Sequence, residues 1–165
     1  MNRKYTVDQY LTQVDKLRQY CPEIALTTDV IVGFPGESAQ DFEGTMNLLE
    51  KVQFHGSFSF KYSDRPGTRA IVFEDKIEES VKSERLARFQ ARQGEISLNR
   101  NREYVGKTKT VMVEECSEEG VKSRTETNHI VHCAKTTELK PGDCVDVTIT
   151  HAGRHSLKGQ LKPLR

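Results

Sequence analysis

The run Ile24-Ala-Leu-Thr-Thr-Asp29-Val-Ile-Val-Gly33-Phe-Pro-Gly36-Glu37 decides the fold. From Ile24 to Phe34 it is apolar and β-branched, and its last part lacks the polar alternation of a half-solvated strand. It therefore reads as a strand buried on both faces in a parallel sheet. Gly33, Pro35 and Gly36 end it. Ser38 and Asp41 approximate a capping box and open a helix to about Val52, with Phe42, Leu48, Leu49 and Val52 as its inward face. Phe58, Phe60 and Tyr62 then alternate with Ser57, Ser59 and Lys61 as a second strand, closing at Arg65-Pro66-Gly67. Strand, helix and strand within about 40 residues make one right-handed βαβ unit.

Upstream, residues 6–21 read as a helix: Thr6 can cap it, Val7, Tyr10, Leu11, Val14 and Leu17 recur at helical spacing, and Pro22 stops it. Downstream, a long charged helix from Glu78 to about Glu103 carries Val81, Leu86, Phe89, Gln93 and Ile96 as its buried stripe. After Gly106 the pattern changes to short β-runs at Thr108–Glu114, Asn128–Ala134 and Cys144–Thr150, with a last one around Ser156–Leu161. Glu119-Gly120 and Lys140-Pro141-Gly142-Asp143 are the turns between them. Several short strands in about 60 residues suggest a small OB-like β-barrel. The expected fold class is thus α/β plus all-β, with the boundary between Arg102 and Lys107 and domains at 1–104 and 105–165.

The chain has 165 residues, 35% hydrophobic and 30% charged. That length serves one ordinary domain or two small ones. No apolar run approaches the ~20 residues that a bilayer demands, and the basic start lacks an apolar stretch behind it, so a cytoplasmic address without membrane contact is expected. Cysteines at 21, 116, 133 and 144 show no Cys-x-x-Cys spacing and read as reduced thiols. Lys plus Arg at 25 against Asp plus Glu at 24 gives +1, so bulk charge does not point to a nucleic-acid partner. The distribution says more: from His151 to Arg165 there are four basic residues, two histidines and no acid, a locally positive surface if they share a face.

Three places carry candidate chemistry. Gly33 and Gly36 lie where a parallel strand turns toward its helix, the end at which α/β folds bind ligands; they also suit a plain tight turn. The segment Tyr62-Ser63-Asp64-Arg65-Pro66-Gly67-Thr68 reaches the same rim, either to hold a polar cofactor or as a turn with a solvated Asp64-Arg65 pair. Arg124, Asn128 and His129, together with Arg154, His155 and Lys158, are the RNA candidates, because phosphates take Lys and Arg while unstacked bases take amides and imidazoles. A solvated barrel face is the alternative. His129, His132 and Cys133 alternate faces instead of pairing through short loops, so no metal is expected. Cys133 and Cys144 read as small core residues.

At these residues the chain resembles the radical-SAM methylthiotransferases. The resemblance rests on Met1-Asn-Arg-Lys-Tyr-Thr6, Thr28 to Glu37, Phe58-Ser-Phe-Lys-Tyr-Ser-Asp-Arg-Pro-Gly-Thr68, the Arg85-Leu helix, and Arg124-Thr-x-x-Asn128. It is strongest to the branch that thiomethylates isopentenylated adenosine beside the tRNA anticodon. It implies the end of a radical-SAM partial (βα) barrel at about 1–104 and an RNA-binding TRAM domain at 105–165, with Met1 inside a motif that is internal in the family. The Cys-x-x-x-Cys-x-x-Cys run and the three auxiliary-cluster cysteines are not in this sequence. No catalytic or metal-ligating residue is therefore assigned.

The resemblance further implies S-adenosylmethionine beside Asp29, Ile31, Gly33, Phe60 and Tyr62, two [4Fe–4S] clusters and an electron donor in the intact enzyme, and a tRNA anticodon stem-loop as partner. The chain alone is expected to be inactive. The sequence departs from the family pattern in Asp29, in one extra residue before Glu37, and in Ser123 where a turn glycine is expected. Two other functions fit the same residues: a stand-alone RNA-binding module, and the sister methylthiotransferases acting on threonylcarbamoyl-adenosine or a ribosomal-protein aspartate.

Overall fold

The computed structural model describes residues 4–136 and 139–162; the first three residues of the opening motif and Arg165 of the acid-free tail lie outside them. It divides into two compact units, Met1–Gly94 and Glu95–Arg165.

In the first unit, α1 (Val7–Tyr20) starts at Thr6, whose hydroxyl accepts the Gln9 N–H while the Gln9 side chain accepts the Thr6 N–H. α2 (Ala39–Val52) starts with the same reciprocal pair, Ser38 and Asp41. Such boxes satisfy amides that have no intrahelical partner, at roughly 1 kcal/mol each. The inward residues of α2 are Phe42, Met46, Leu49 and Val52; Leu48 is only half-buried, displaced from the expected stripe by Met46. The Arg18 guanidinium donates to the Val52 carbonyl, tying α1 to the end of α2.

β1 (Thr27–Val32) and β2 (Gly56–Lys61) pair in parallel, so the βαβ unit is present. β1 is not buried on both faces as expected. Its burial alternates, and only Val32 is fully buried. The sheet has two strands, and the face carrying Asp29 and Ile31 is exposed. β1 also stops two residues early, because Gly33 takes φ 72°, a left-handed conformation open to glycine at little cost.

α3 (Glu79–Arg102) buries Phe89, Gln93, Ile96, Ser97 and Asn101, while Val81 and Leu86 are half-buried. A single 3₁₀ turn over Arg69–Val72 precedes it, unmarked in the sequence pattern.

The second unit is a closed five-stranded barrel formed by β3 (Thr108–Ser117), β4 (Gly120–Thr125), β5 (Ile130–Cys133), β6 (Cys144–Ala152) and β7 (Leu157–Leu161), in the order β3-β4-β5-β7-β6. The α/β plus all-β reading therefore stands. All pairings are antiparallel except β5 with β7. The core gathers Tyr104, Val111, Val113, Val121, Val131, Cys133, Val145, Val147, Ile149 and Leu157.

β4 was not among the expected strands. Its inward residues are Val121, Ser123 and Thr125, so two of three core positions are hydroxyls and no apolar alternation marks it. Ser123 does not stand in a turn; its hydroxyl donates to the Val131 carbonyl at 3.0 Å. Asn128 and His129 precede β5 because Asn128 takes φ 68° in the β4–β5 turn. Cys144 is exposed, contrary to expectation, whereas Cys133 is buried and burial pushes its thiol pKa up.

Closure leaves no room at Gly159, where an added Cβ would collide with Val147 Cγ1 and stand 3.0 Å from the Thr148 carbonyl oxygen. Gly159→Val is expected to cost about 1–3 kcal/mol through overpacking, read as a lower urea midpoint for the full chain.

Candidate functional site

The parallel register sets Asp29 beside Phe58 and Ile31 beside Phe60 on one face of the first unit's sheet. Phe58 is 70% exposed, Phe60 57% and Ile31 37%. The face thus offers two aromatic rings, an aliphatic side chain and one carboxylate. Such a mixture suits a flat heterocycle with a polar substituent.

Gly33 and Tyr62 are placed differently from these. The Lys82 side chain lies over the Gly33 Cα, where a Cβ would strike it. The Gly33 N–H and the Phe34 N–H both donate to the Glu37 carboxylate, and Arg85 holds Glu37 through an ion pair at 3.5 Å and a bond to its carbonyl at 3.0 Å. Glu37 is therefore the brace of the strand-end loop. Gly36 N–H adds a bond to the Asp75 carbonyl at 2.8 Å.

Tyr62 turns into the rim, edge-on to Phe34 at 5.2 Å, and its hydroxyl donates to Asp64 at 3.0 Å. Lys76 joins both, bonding Asp64 and standing 5.5 Å from the Tyr62 ring centre. Hydrogen bonds from Lys76 and then Tyr62 hold the Asp64 carboxyl below its ordinary pKa; desolvation, then Asp64, pushes the Tyr62 phenol up. The Asp64 partner is thus Lys76, not Arg65. Glu37 enters the sequence reading only as the end of the strand-end motif, with no bracing role, and Lys76 is not singled out there for this rim.

On the second unit, Arg124 projects outward from β4 and is already engaged. Its Nε and Nη2 donate to the two Glu114 oxygens, at 2.5 and 3.2 Å, and its Nη1 reaches the Asn128 carbonyl at 3.2 Å and Oδ1 at 3.0 Å. The Arg124 hydrogen bonds hold Glu114 below its usual range, and Glu114 raises the guanidinium in turn. Glu114 reaches this position because it is the extra residue of a β-bulge, skipped in the pairing between Val113 and Glu115.

The turn behind Arg124 is a closed network. Thr125 accepts the His129 N–H on its hydroxyl at 3.0 Å, Thr127 meets His129 Nδ1 at 3.0 Å, and Tyr104 meets Thr127 at 3.3 Å. The Tyr104 and His129 rings are 4.6 Å apart, with Lys107 and Lys109 over the Tyr104 ring at 5.9 and 5.7 Å. Arg124, Asn128 and His129 are therefore brought together. Arg154 and His155 lie in the β6–β7 turn and Lys158 on β7, all exposed. Asn101 Nδ2 anchors this second turn on the Gly153 carbonyl at 2.7 Å and the Arg154 carbonyl at 3.3 Å.

Among the described residues no three His, Cys, Asp or Glu side chains gather as a metal site, and Cys21, Cys116 and Cys144 are exposed while Cys133 sits in the barrel core. The residues present do not fit an iron–sulfur cluster, which needs converging thiolates. No described helix is long and apolar enough to cross a membrane.

Comparison with known proteins gives this geometry its context. Residues 102–162 match the TRAM domain family. Over 98% of its length the chain is 59% identical to a protein named tRNA-2-methylthio-N(6)-dimethylallyladenosine synthase from Desulfotalea psychrophila, and 47% identical to one of the same name from Syntrophobacter fumaroxidans. A third, from Streptomyces coelicolor, is 42% identical over 95% of the chain. The resemblance to the methylthiotransferases is borne out. The chain spans 36% of the length of the first two relatives and 32% of the third.

Burial lowers the His129 pKa below its ordinary 6.5, with Lys109 adding to the shift and a hydrogen bond at Thr127 opposing it. The folded state then binds fewer protons at His129 than the unfolded one. Its contribution to stability is present above about pH 6.5 and is lost as pH falls through the lowered value. Acidification from pH 7.5 to 5.5 should lower the melting temperature of the native chain, and His129→Gln should flatten that part of the profile, as thermal melts across the range will check.

Proposed function

We propose that this chain is the RNA-docking and cofactor-facing portion of a tRNA methylthiotransferase, whose substrate is the isopentenylated adenosine beside the anticodon. One observation carries the reading: relatives bearing that name match 98% of the chain, and the match takes in the strand-end motif at Thr28–Glu37, the Phe58–Thr68 segment and the TRAM domain together. In an intact enzyme of this kind iron–sulfur clusters would supply the electron and the sulfur, and the described residues of this chain offer no converging thiolates to hold them.

What this chain contributes is binding and orientation. Ile31 and Phe60 present apolar surface able to flank the adenine of S-adenosylmethionine, with Asp29 on the same face for its polar groups. Gly33 and Tyr62 shape the rim: Gly33 through its N–H bond to Glu37, Tyr62 through Phe34 and Asp64. In the TRAM barrel, Arg124 holds the β4–β5 turn in shape, so that Asn128 and His129 are presented on a stiff hairpin. Arg154, His155 and Lys158 supply charge toward the anticodon stem-loop. The reading places the protein in the cytoplasm, where tRNA and an electron donor are both at hand, and leaves the isolated chain without turnover.

A chimera tests this directly. Fusing the remaining two thirds of the Desulfotalea psychrophila relative in front of this chain should give an iron-containing protein that methylthiolates isopentenylated tRNA. The 165-residue chain alone should give neither iron nor product. A folded, iron-loaded chimera that leaves that tRNA unmodified overturns the proposal.

A further inference from the structure

We infer that the outer wall of the barrel carries a phosphate-tracking row, Lys122–His132–Lys158–His151, which takes the sugar-phosphate backbone of an RNA strand. The row exists only in the folded register. Lys122 of β4 pairs with His132 of β5, His132 with Lys158 of β7, and Lys158 with His151 of β6. These residues are dispersed over 37 positions of sequence, Lys122 to Lys158, and become neighbours through barrel closure. Lys122, His132 and Lys158 point outward, because the flanking residues Val121, Ser123, Val131, Cys133 and Leu157 are buried; His151 is exposed, while its neighbour Ala152, paired with Leu157, packs against the core. Three interstrand steps of about 4.8 Å make the row roughly 14 Å long.

Its electrostatics favour an anionic strand. Lys158 Nζ and the His132 ring have no hydrogen-bond or ion-pair partner among the described residues, and Lys122 has only a 4.0 Å approach to Glu114, whose carboxylate is taken by Arg124. Glu115, opposite Lys122 on β3, marks the end of the row. Arg154 and His155 are exposed in the β6–β7 turn, which joins the strands that carry His151 and Lys158. Arg124, by contrast, already has a carboxylate and an amide on its donors, so its charge is largely neutralised. Two compact ammonium groups alternating with two imidazoles provide charge for phosphates and hydrogen bonds for sugar or phosphate oxygens, without the aromatic platforms that base stacking requires.

This inference rests on the RNA-binding reading of the barrel, and the test separates the two. The full chain is titrated with a fluorescent anticodon stem-loop RNA at several potassium chloride concentrations. Each lost phosphate contact should reduce the slope of log affinity against log salt by about 0.7 on a single strand, so K122Q/K158Q should lose about 1.4. K122R/K158R, which keeps the charge, should retain the native slope. K140Q/K162Q, which removes two charges away from the row, should lose less than half as much. If K122Q/K158Q and K140Q/K162Q behave alike, the row is overturned while RNA binding stands. If the native chain does not bind the RNA, the reading beneath it falls as well.

Discussion

Five short strands can close into a barrel only if their inner faces are narrow enough to meet, and that constraint organises the second half of the molecule. The interior is filled mostly by valines, with Ser123 and Thr125 as small buried hydroxyl residues of β4 and with Gly159 where β7 passes the Val147 side chain and the Thr148 carbonyl. The small polar residues stay tolerable because each finds a partner inside: Ser123 the Val131 carbonyl, Thr125 the His129 amide. A buried hydroxyl left unpaired would cost roughly 1–3 kcal/mol. Closure also decides the outside, since it places residues from four separate segments of sequence in one line.

The first unit obeys a different rule. A glycine-rich strand end has no intrinsic shape, and here a single carboxylate supplies one by accepting two consecutive backbone N–H groups while an arginine from α3 holds it from behind. Glu37 and Arg85 are each only 12% exposed in their side chains, so the pair is shielded from water and more effective than a surface ion pair. The loop keeps its form without drawing on the exposed face of the sheet, whose aromatic rings stay free for contact.

Much of this was legible in the sequence, for reasons that can be stated residue by residue. Thr6 and Ser38 announced their helices because capping chemistry is local, and the β1–α2–β2 order followed from apolar runs interrupted by glycine and proline. β4 was hidden because its core positions are hydroxyls, and burial in the core does not require an apolar side chain when the partner lies on a neighbouring strand. The exposure of β1 was hidden for the opposite reason: apolar patterning records what a strand is suited to meet, not what these residues alone supply. In the site, residue types pointed to Arg124 and His129, but the sequence could not show that Glu114 and Tyr104 already occupy them.

The bulge at Glu114 sets a limit on how the length of this segment can vary. Because one residue of β3 is skipped in the pairing with β4, the ladder on either side is regular but out of step by one. Removing a residue there would heal the ladder and take away the carboxylate that fastens Arg124. Inserting one beside it would turn the following side chains of β3 to the opposite face. The β3–β4 hairpin should therefore accept substitutions far more readily than gaps, and length changes in this part of the chain should collect at the tip, around Glu118-Glu119, where no ladder has to be kept.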